Sequence, residues 1–304
     1  MIYVLGSINA DLVVYSARFP DVGETVVGND FLVNQGGKGA NQAIASQKAG
    51  GETTFIGRVG DDYFGTLVLE SLRRERVNLR VKREKSTSTG IAVINVDKRG
   101  DNKIIIIHGA NGKVDGSETV YLKERFKKGD VLMIQGELNA GVVRDAARIA
   151  KSSGAIVIFD PAPVSSELKS IIPFATFVTP NETEIKTLTG LSGDKGAEAL
   201  LKMGAESVIF KKGENGLLFL SSKESFSVSA FPVKAVDTTG AGDTFNGAFA
   251  AALHAGKPLK EALVFGEAAA ALSVTRKGAS TSSPYKKDIE EFLKTHSVEF
   301  RVHT

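Results

Sequence analysis

Short β-branched or apolar runs alternate with helical patterns along most of this chain, and that rhythm restricts the fold more than any other feature does. Strand-like runs fall at 2–6, 53–59, 131–135, 155–160, 175–179, 207–210 and 217–220, with helical patterns at 39–49, 64–76, 142–152, 183–189, 195–203, 244–254 and 259–275. Strand, helix, strand in succession predicts an α/β fold whose mostly parallel sheet is flanked by helices through right-handed crossovers. Ligands then collect beyond the carboxyl ends of the strands. That draws attention to Asn9 and Asp11 after the first run, Glu137 after the third, Asp160 after the fourth and Asn181 after the fifth.

Two segments break the rhythm. The stretch 26–34, and the pair 90–96 and 103–108 around a Lys98-Arg99-Gly100-Asp101 turn, predict antiparallel strands in a small separate sheet. The run Ile104-Ile105-Ile106-Ile107 does not alternate, so both of its faces are expected to need cover. A lid over the active site supplies one cover, and the lid of a second subunit can supply the other. Because no repeat, low-complexity tract or linker interrupts the chain, residues 1–304 are expected to form one domain, with a lid at about 12–36 and 88–109 inserted in it.

Composition removes several function classes. The chain has no cysteine, which rules out disulfides, thiolate metal sites and cysteine nucleophiles, and its four histidines are scattered, which argues against structural zinc. A net charge of +3 without a basic block gives no footprint for nucleic acid. The strand-like opening Ile2-Tyr3-Val4-Leu5 lacks the pattern of a signal peptide, and no apolar run reaches membrane-spanning length. A cytoplasmic protein with neither a membrane nor a nucleic-acid partner is expected.

The stretch Val236-Asp237-Thr238-Thr239-Gly240-Ala241-Gly242-Asp243-Thr244-Phe245-Asn246-Gly247 carries most of the chemistry. Its glycines allow a tight turn into an Ala-rich helix, whose first N–H groups lack intrahelical partners and whose dipole favours an anion. Asp243 stands at that anion-attracting end. A base that must sit beside a phosphate accounts for it, as does, in part, an ordinary Asp helix cap. A second stretch, Asn34-Gln35-Gly36-Gly37-Lys38-Gly39-Ala40-Asn41-Gln42-Ala43, lacks P-loop spacing. Its exposed backbone N–H groups, with Lys38 and Asn41, suit a polyhydroxylated ligand, though a glycine turn with a solvated lysine reads the same way.

In order along the chain, Gly6-Ser7-Ile8-Asn9-Ala10-Asp11, Phe19-Pro20, Gly23-Glu24-Thr25, Gly36-Gly37-Lys38-Gly39-Ala40-Asn41, Asn181-Glu182-Thr183-Glu184 and Asp237-Thr238-Thr239-Gly240-Ala241-Gly242-Asp243 closely resemble the ribose-phosphorylating branch of the PfkB family of sugar kinases, over residues 2 to about 293. The resemblance implies a Rossmann-like α/β kinase domain with a β-sheet lid. It further implies a homodimer joined through the lids and ATP-dependent phosphorylation of the O5 hydroxyl of D-ribose. Other sugars or nucleosides used by family members, such as fructose, ketodeoxygluconate or adenosine, remain open, as does a non-catalytic sugar or nucleotide sensor.

Site roles follow from the same resemblance. Asn9, Asp11, Gly37, Lys38, Asn41 and Glu137 contact the sugar, Asp243 is the catalytic base, and the backbone of Gly240, Ala241, Gly242 and Asp243 forms the anion hole. Asn181 and Glu184 hold Mg²⁺, or another divalent cation, and phosphate, mostly through water; they equally read as a capping box at a helix start. Lys211, Lys212, Gly213 and Gly216 form the nucleotide turn, with Gly242 and Glu267 as further nucleotide contacts. Relatives commonly carry Thr where Lys211 stands. A K⁺ site is implied at Asp237, Thr239, Ser273, Arg276, Gly278 and Ser282, where a plain loop hydrogen-bond network is the other reading. Beyond the resemblance, the alternating Val298, Phe300 and Val302 read as an added edge strand or a disordered end.

Overall fold

Seven parallel strands form the centre of the main sheet in the computed structural model, which describes residues 1–303. In chain order the elements begin with β1 (Ile2–Leu5), β2 (Asn9–Ser16), β3 (Gly28–Gly36), α1 (Lys38–Lys48), β4 (Thr53–Gly60), α2 (Tyr63–Arg74) and β5 (Asn78–Glu84). They continue through β6 (Gly90–Val96), β7 (Asn102–Ile107), α3 (Gly116–Arg125), β8 (Val131–Gln135), α4 (Ala140–Ser152), β9 (Ile156–Asp160), β10 (Phe177–Val178), α5 (Glu182–Thr189) and α6 (Gly193–Lys202). The last third comprises β11 (Ser207–Lys211), β12 (Leu217–Ser221), β13 (Ser225–Val228), α7 (Ala241–His254), α8 (Leu259–Ser273), α9 (Lys286–Thr295) and β14 (Phe300–Val302).

The main sheet runs in the order β14-β13-β12-β11-β10-β9-β8-β1-β4-β5. From β5 to β11 every pairing is parallel, as the alternating pattern predicts. From β11 to β14 the pairings turn antiparallel. Only residues 212–216 join β11 to β12, too few for a crossover, so the chain makes a hairpin instead. The tail is an edge strand, since β14 pairs with β13; Thr304 lies outside the described residues.

Helices α1, α7 and α8 share one buried cluster with the sheet, and α3, α4, α5 and α6 cover the other face. Helix α7 is buried continuously from Asp243 to Ala252, because it packs between α1 and α8. Phe249 meets Phe177 edge-on with ring centres 5.2 Å apart, which anchors the helix to the sheet.

The second sheet is β3-β2-β6-β7. Here the structure corrects two expectations. Residues Asn9 to Ser16 form β2, a strand outside the predicted elements that begins with Asn9 and Asp11; and the sheet is mixed, not wholly antiparallel, because β2 runs parallel to β6 and antiparallel to β3, while β6–β7 is antiparallel as expected. Strands β5 and β13 and helices α3 and α9 fall outside the predicted elements. β5, for example, reads Asn-Leu-Arg-Val-Lys-Arg-Glu, a polar edge strand. Ile104 to Ile107 are 46–63 % exposed, so within this chain neither face of that run gains the cover its pattern calls for.

Candidate active site

The predicted glycine turn enters α7 in a conformation only glycine adopts readily. Gly240 sits at φ 74°, and a Cβ there would lie 2.8 Å from the Cα of Ala279. Asp237 stabilises the approach, accepting the N–H of Thr239 on one carboxylate oxygen and that of Gly278 on the other, each at 2.9 Å. Of the N–H groups expected in the anion hole, that of Ala241 donates back to the Thr238 carbonyl at 3.2 Å. The N–H groups of Gly242 and Asp243 have no partner among the described residues, as expected for a helix start.

Asp243 is 5 % exposed. Its carboxylate accepts the Asn41 amide at 3.3 Å and the Gln42 amide at 3.0 Å. Burial pushes its pKa up, and the nearby Lys38 ammonium opposes that. The same field holds Lys38 firmly protonated, with Asp243 as the largest influence.

The glycine-rich loop places these amides. Gly37 lies at φ 86°, and a Cβ on it would press into the backbone of Ile8 and Asn9 at 2.8–2.9 Å, so α1 starts tight against the link from β1 into β2. The Lys38 N–H donates to Glu137 at 2.9 Å, and the Ser7 hydroxyl donates to the same carboxylate oxygen. Across the floor, Asn9 is 4 % exposed and its amide oxygen accepts from Asn111 at 2.7 Å. Asp11 faces Gly36, where a Cβ would overlap its carboxylate. Burial, with the neighbouring charge of Glu137, pushes Asp11 up to about 7.

The opposite wall lies at the ends of β9 and β11. Asp160 accepts the Gln42 amide at 2.9 Å and the Lys211 ammonium at 3.3 Å. Asn181 caps α5 and Glu184 completes a capping box, with three bonds of 2.8–2.9 Å between the two residues. Burial and then Asp160 push Glu184 up. Beside them a cavity of about 490 Å³ is lined by Asn181, Thr183, Gly193, Lys211, Lys212 and Gly213, among others. The Lys212 ammonium reaches Asp194 at 2.8 Å, and Gly213 and Gly216 make the turn with φ of 58° and 79°. Glu267 on α8 is pushed up to about 7 by burial, against the pull of Lys211.

The candidate K⁺ residues gather behind the α7 turn. The Ser273 and Ser282 hydroxyls are spent on the carbonyls of Ala270 and Ala279, each at 2.8 Å. The carbonyls of Thr239, Arg276 and Gly278 accept no hydrogen bond among the described residues. Three participants carried no assignment from sequence. Asn111 and Gln42 are amides without a distinctive spacing, although Gln42 directly follows Asn41, and Asp160 was marked only by its place at a strand end.

The description "pfkB family carbohydrate kinase" matches residues 1–286. The ribokinase of Haemophilus influenzae is 38 % identical over 300 residues, covering 95 % of this chain and 97 % of that one. The solved ribokinase of Thermotoga maritima superimposes with a TM-score of 0.91 at 39 % identity, over 97 % of this chain and 99 % of that one. An Arabidopsis thaliana ribokinase solved with ribose and ATP gives a TM-score of 0.90 at 33 % identity, with the same coverage of 97 % and 99 %.

Proposed function

The chain belongs to the pfkB family of carbohydrate kinases, and from that premise we propose that it is an ATP-dependent kinase that phosphorylates D-ribose at O5 to give D-ribose 5-phosphate. The observation that carries this reading is Asp243, a buried carboxylate in the first turn of α7 beside two unpaired backbone N–H groups. Nucleophile and phosphoryl group must meet at one point, so a base belongs next to an anion site. Asp243 takes the proton of the attacking hydroxyl. The N–H groups of Gly242 and Asp243, at the turn that Gly240 and Ala241 shape, stabilise the charge growing on the phosphoryl oxygens.

Asn9, Asp11, Gly37, Lys38, Asn41 and Glu137 hold the sugar. All lie at the joint of β1, β2 and α1 or beside it, where short, directional donors and acceptors can read several hydroxyls. Lys211, Lys212, Gly213, Gly216 and Glu267 border the nucleotide side, whose cavity opens at Asn181. Asn181 and Glu184 would hold Mg²⁺ through water, and that ion would neutralise phosphate charge. The carbonyls of Thr239, Arg276 and Gly278, with Asp237, Ser273 and Ser282, would hold K⁺ behind the anion hole.

Two copies join through the lid, where Ile104 to Ile107 lie exposed; sedimentation should return the mass of a dimer. The activity is tested by ADP release with ribose, 2-deoxyribose, fructose, ketodeoxygluconate and adenosine. Turnover with ribose far above the rest is expected, and no sugar-dependent turnover at all would sink the kinase reading.

A further inference from the structure

Asp160 is 2 % exposed at the end of β9, yet the reaction as described gives it no task. Its two oxygens are spoken for by different partners. One accepts the Lys211 ammonium at 3.3 Å; the other accepts the Gln42 side-chain amide at 2.9 Å. That same amide nitrogen donates to Asp243 at 3.0 Å, while the Gln42 oxygen accepts from Gln135 at 2.7 Å. Turning the Gln42 amide over would aim its oxygen at two carboxylates, so its orientation is set. A continuous chain of contacts therefore runs Lys211, Asp160, Gln42, Asp243.

The far end of that chain lies at the anion hole. A Cβ on Gly242 would find the Lys211 ammonium at 3.2 Å and nothing else within 4 Å outside its chain neighbours and its own helix backbone. The ammonium thus borders the turn whose Gly242 and Asp243 N–H groups are unpaired. We propose that Lys211 is a catalytic cation that touches the phosphoryl group during transfer, and that Asp160 and Gln42 are positioning residues that hold Lys211 and Asp243 in fixed relation to each other. This rests on the kinase reading above. The transition state spreads negative charge over the equatorial phosphoryl oxygens, and a cation already in place beside them needs no reorganisation as that charge develops. Before ligand arrives, Asp160 balances the ammonium, so no uncompensated charge is buried.

The bland alternative is that Lys211 only neutralises Asp160, and paired variants separate the two. Lys211→Met should lower kcat roughly 10²- to 10³-fold. Affinity for ADP, which lacks the transferred group, should fall far less than kcat does by calorimetry, even though Lys211 borders the nucleotide cavity. Lys211→Arg, which keeps the charge, should recover part of the lost rate. The double variant Asp160→Asn/Lys211→Met leaves no unpaired charge, so it remains informative even if the single variant folds poorly. Its kcat should stay as low as that of Lys211→Met. Asp160→Asn alone should lower kcat and move the acid limb of its pH profile downward, because a negative neighbour of Asp243 is removed. Recovery of kcat in the double variant, or an ADP affinity that falls in step with kcat, overturns the proposal. All variants are read against ribose-dependent turnover of the wild type, whose absence would instead defeat the kinase reading itself.

Discussion

The first turn of α7 and the small second sheet handle difficult side chains in opposite ways. Around α7, the buried carboxylates of Asp243 and Asp160 are met by amides and an ammonium drawn from α1 and β11 of the same chain. On the second sheet, Phe31 and Ile104 to Ile107 lie exposed with no cover from this chain. Leaving a buried charge unpaired costs far more than leaving a few apolar side chains in water. The difference teaches that the charged corner has to be complete within one chain, whereas an apolar sheet face can be left for a second surface to cover.

The sharpest test of the charged corner is Asp243→Asn, which keeps the shape and removes the base. Its kcat should fall roughly 10²- to 10⁴-fold with ribose affinity largely kept. A near-normal kcat would mean that the corner is a structural cap and would erase the contrast. Asn9→Ala and Asp11→Ala come next. Each should raise KM for ribose about 10-fold or more, because a polar partner is left unpaired in a buried site; unchanged KM would remove them from the sugar floor.

The isoleucine face is probed by Ile105→Lys, which should give the mass of a monomer by sedimentation while kcat/KM falls less than in either preceding set. A dimer that survives the charge would place the interface elsewhere and leave the exposed isoleucines unexplained. The smallest effect concerns pH. Glu267 has a folded-state pKa of about 7 against an ordinary 4.5, so the folded protein binds the extra proton and its stability declines as pH rises from about 4.5 to about 7. Glu267→Gln should therefore raise Tm at pH 8, with the gain fading toward pH 4.5; an equal gain at both pH values would exclude titration as the cause. For activity the sign is reversed at Asp243. Its base form is required, and burial raises its pKa in the free protein, so kcat/KM should drop on the acid side at a pH above the usual carboxylate range.

Much of the fold was legible because it is written in local periodicity. Val131 to Gln135 and Gly90 to Val96 appear as strands with the boundaries their patterns predict. The glycine positions were equally readable, since Gly37 and Gly240 adopt positive φ where their turns require it. β2 was harder to see. Its Asn9-Ala10-Asp11 start looks like a turn, and only pairing with β3 and β6 keeps it extended. At the site, Asn41 and Asp243 were recognised as separate motif members, but nothing in either motif says that they touch.

By itself the sequence determined the parallel-sheet class, the glycine turns and the carboxylate at the start of α7, because each depends on neighbours a few residues away. Tertiary structure alone decided which amide meets which charge. Gln42 reaches Asp160 across 118 residues and Asp243 across 201, and Asn111 meets Asn9 across 102. Those meetings depend on strand order and on α1 packing against α7, which bring distant segments to one end of the sheet. No local pattern encodes such an encounter, since a hydrogen bond is set by separation in space and is indifferent to separation along the chain.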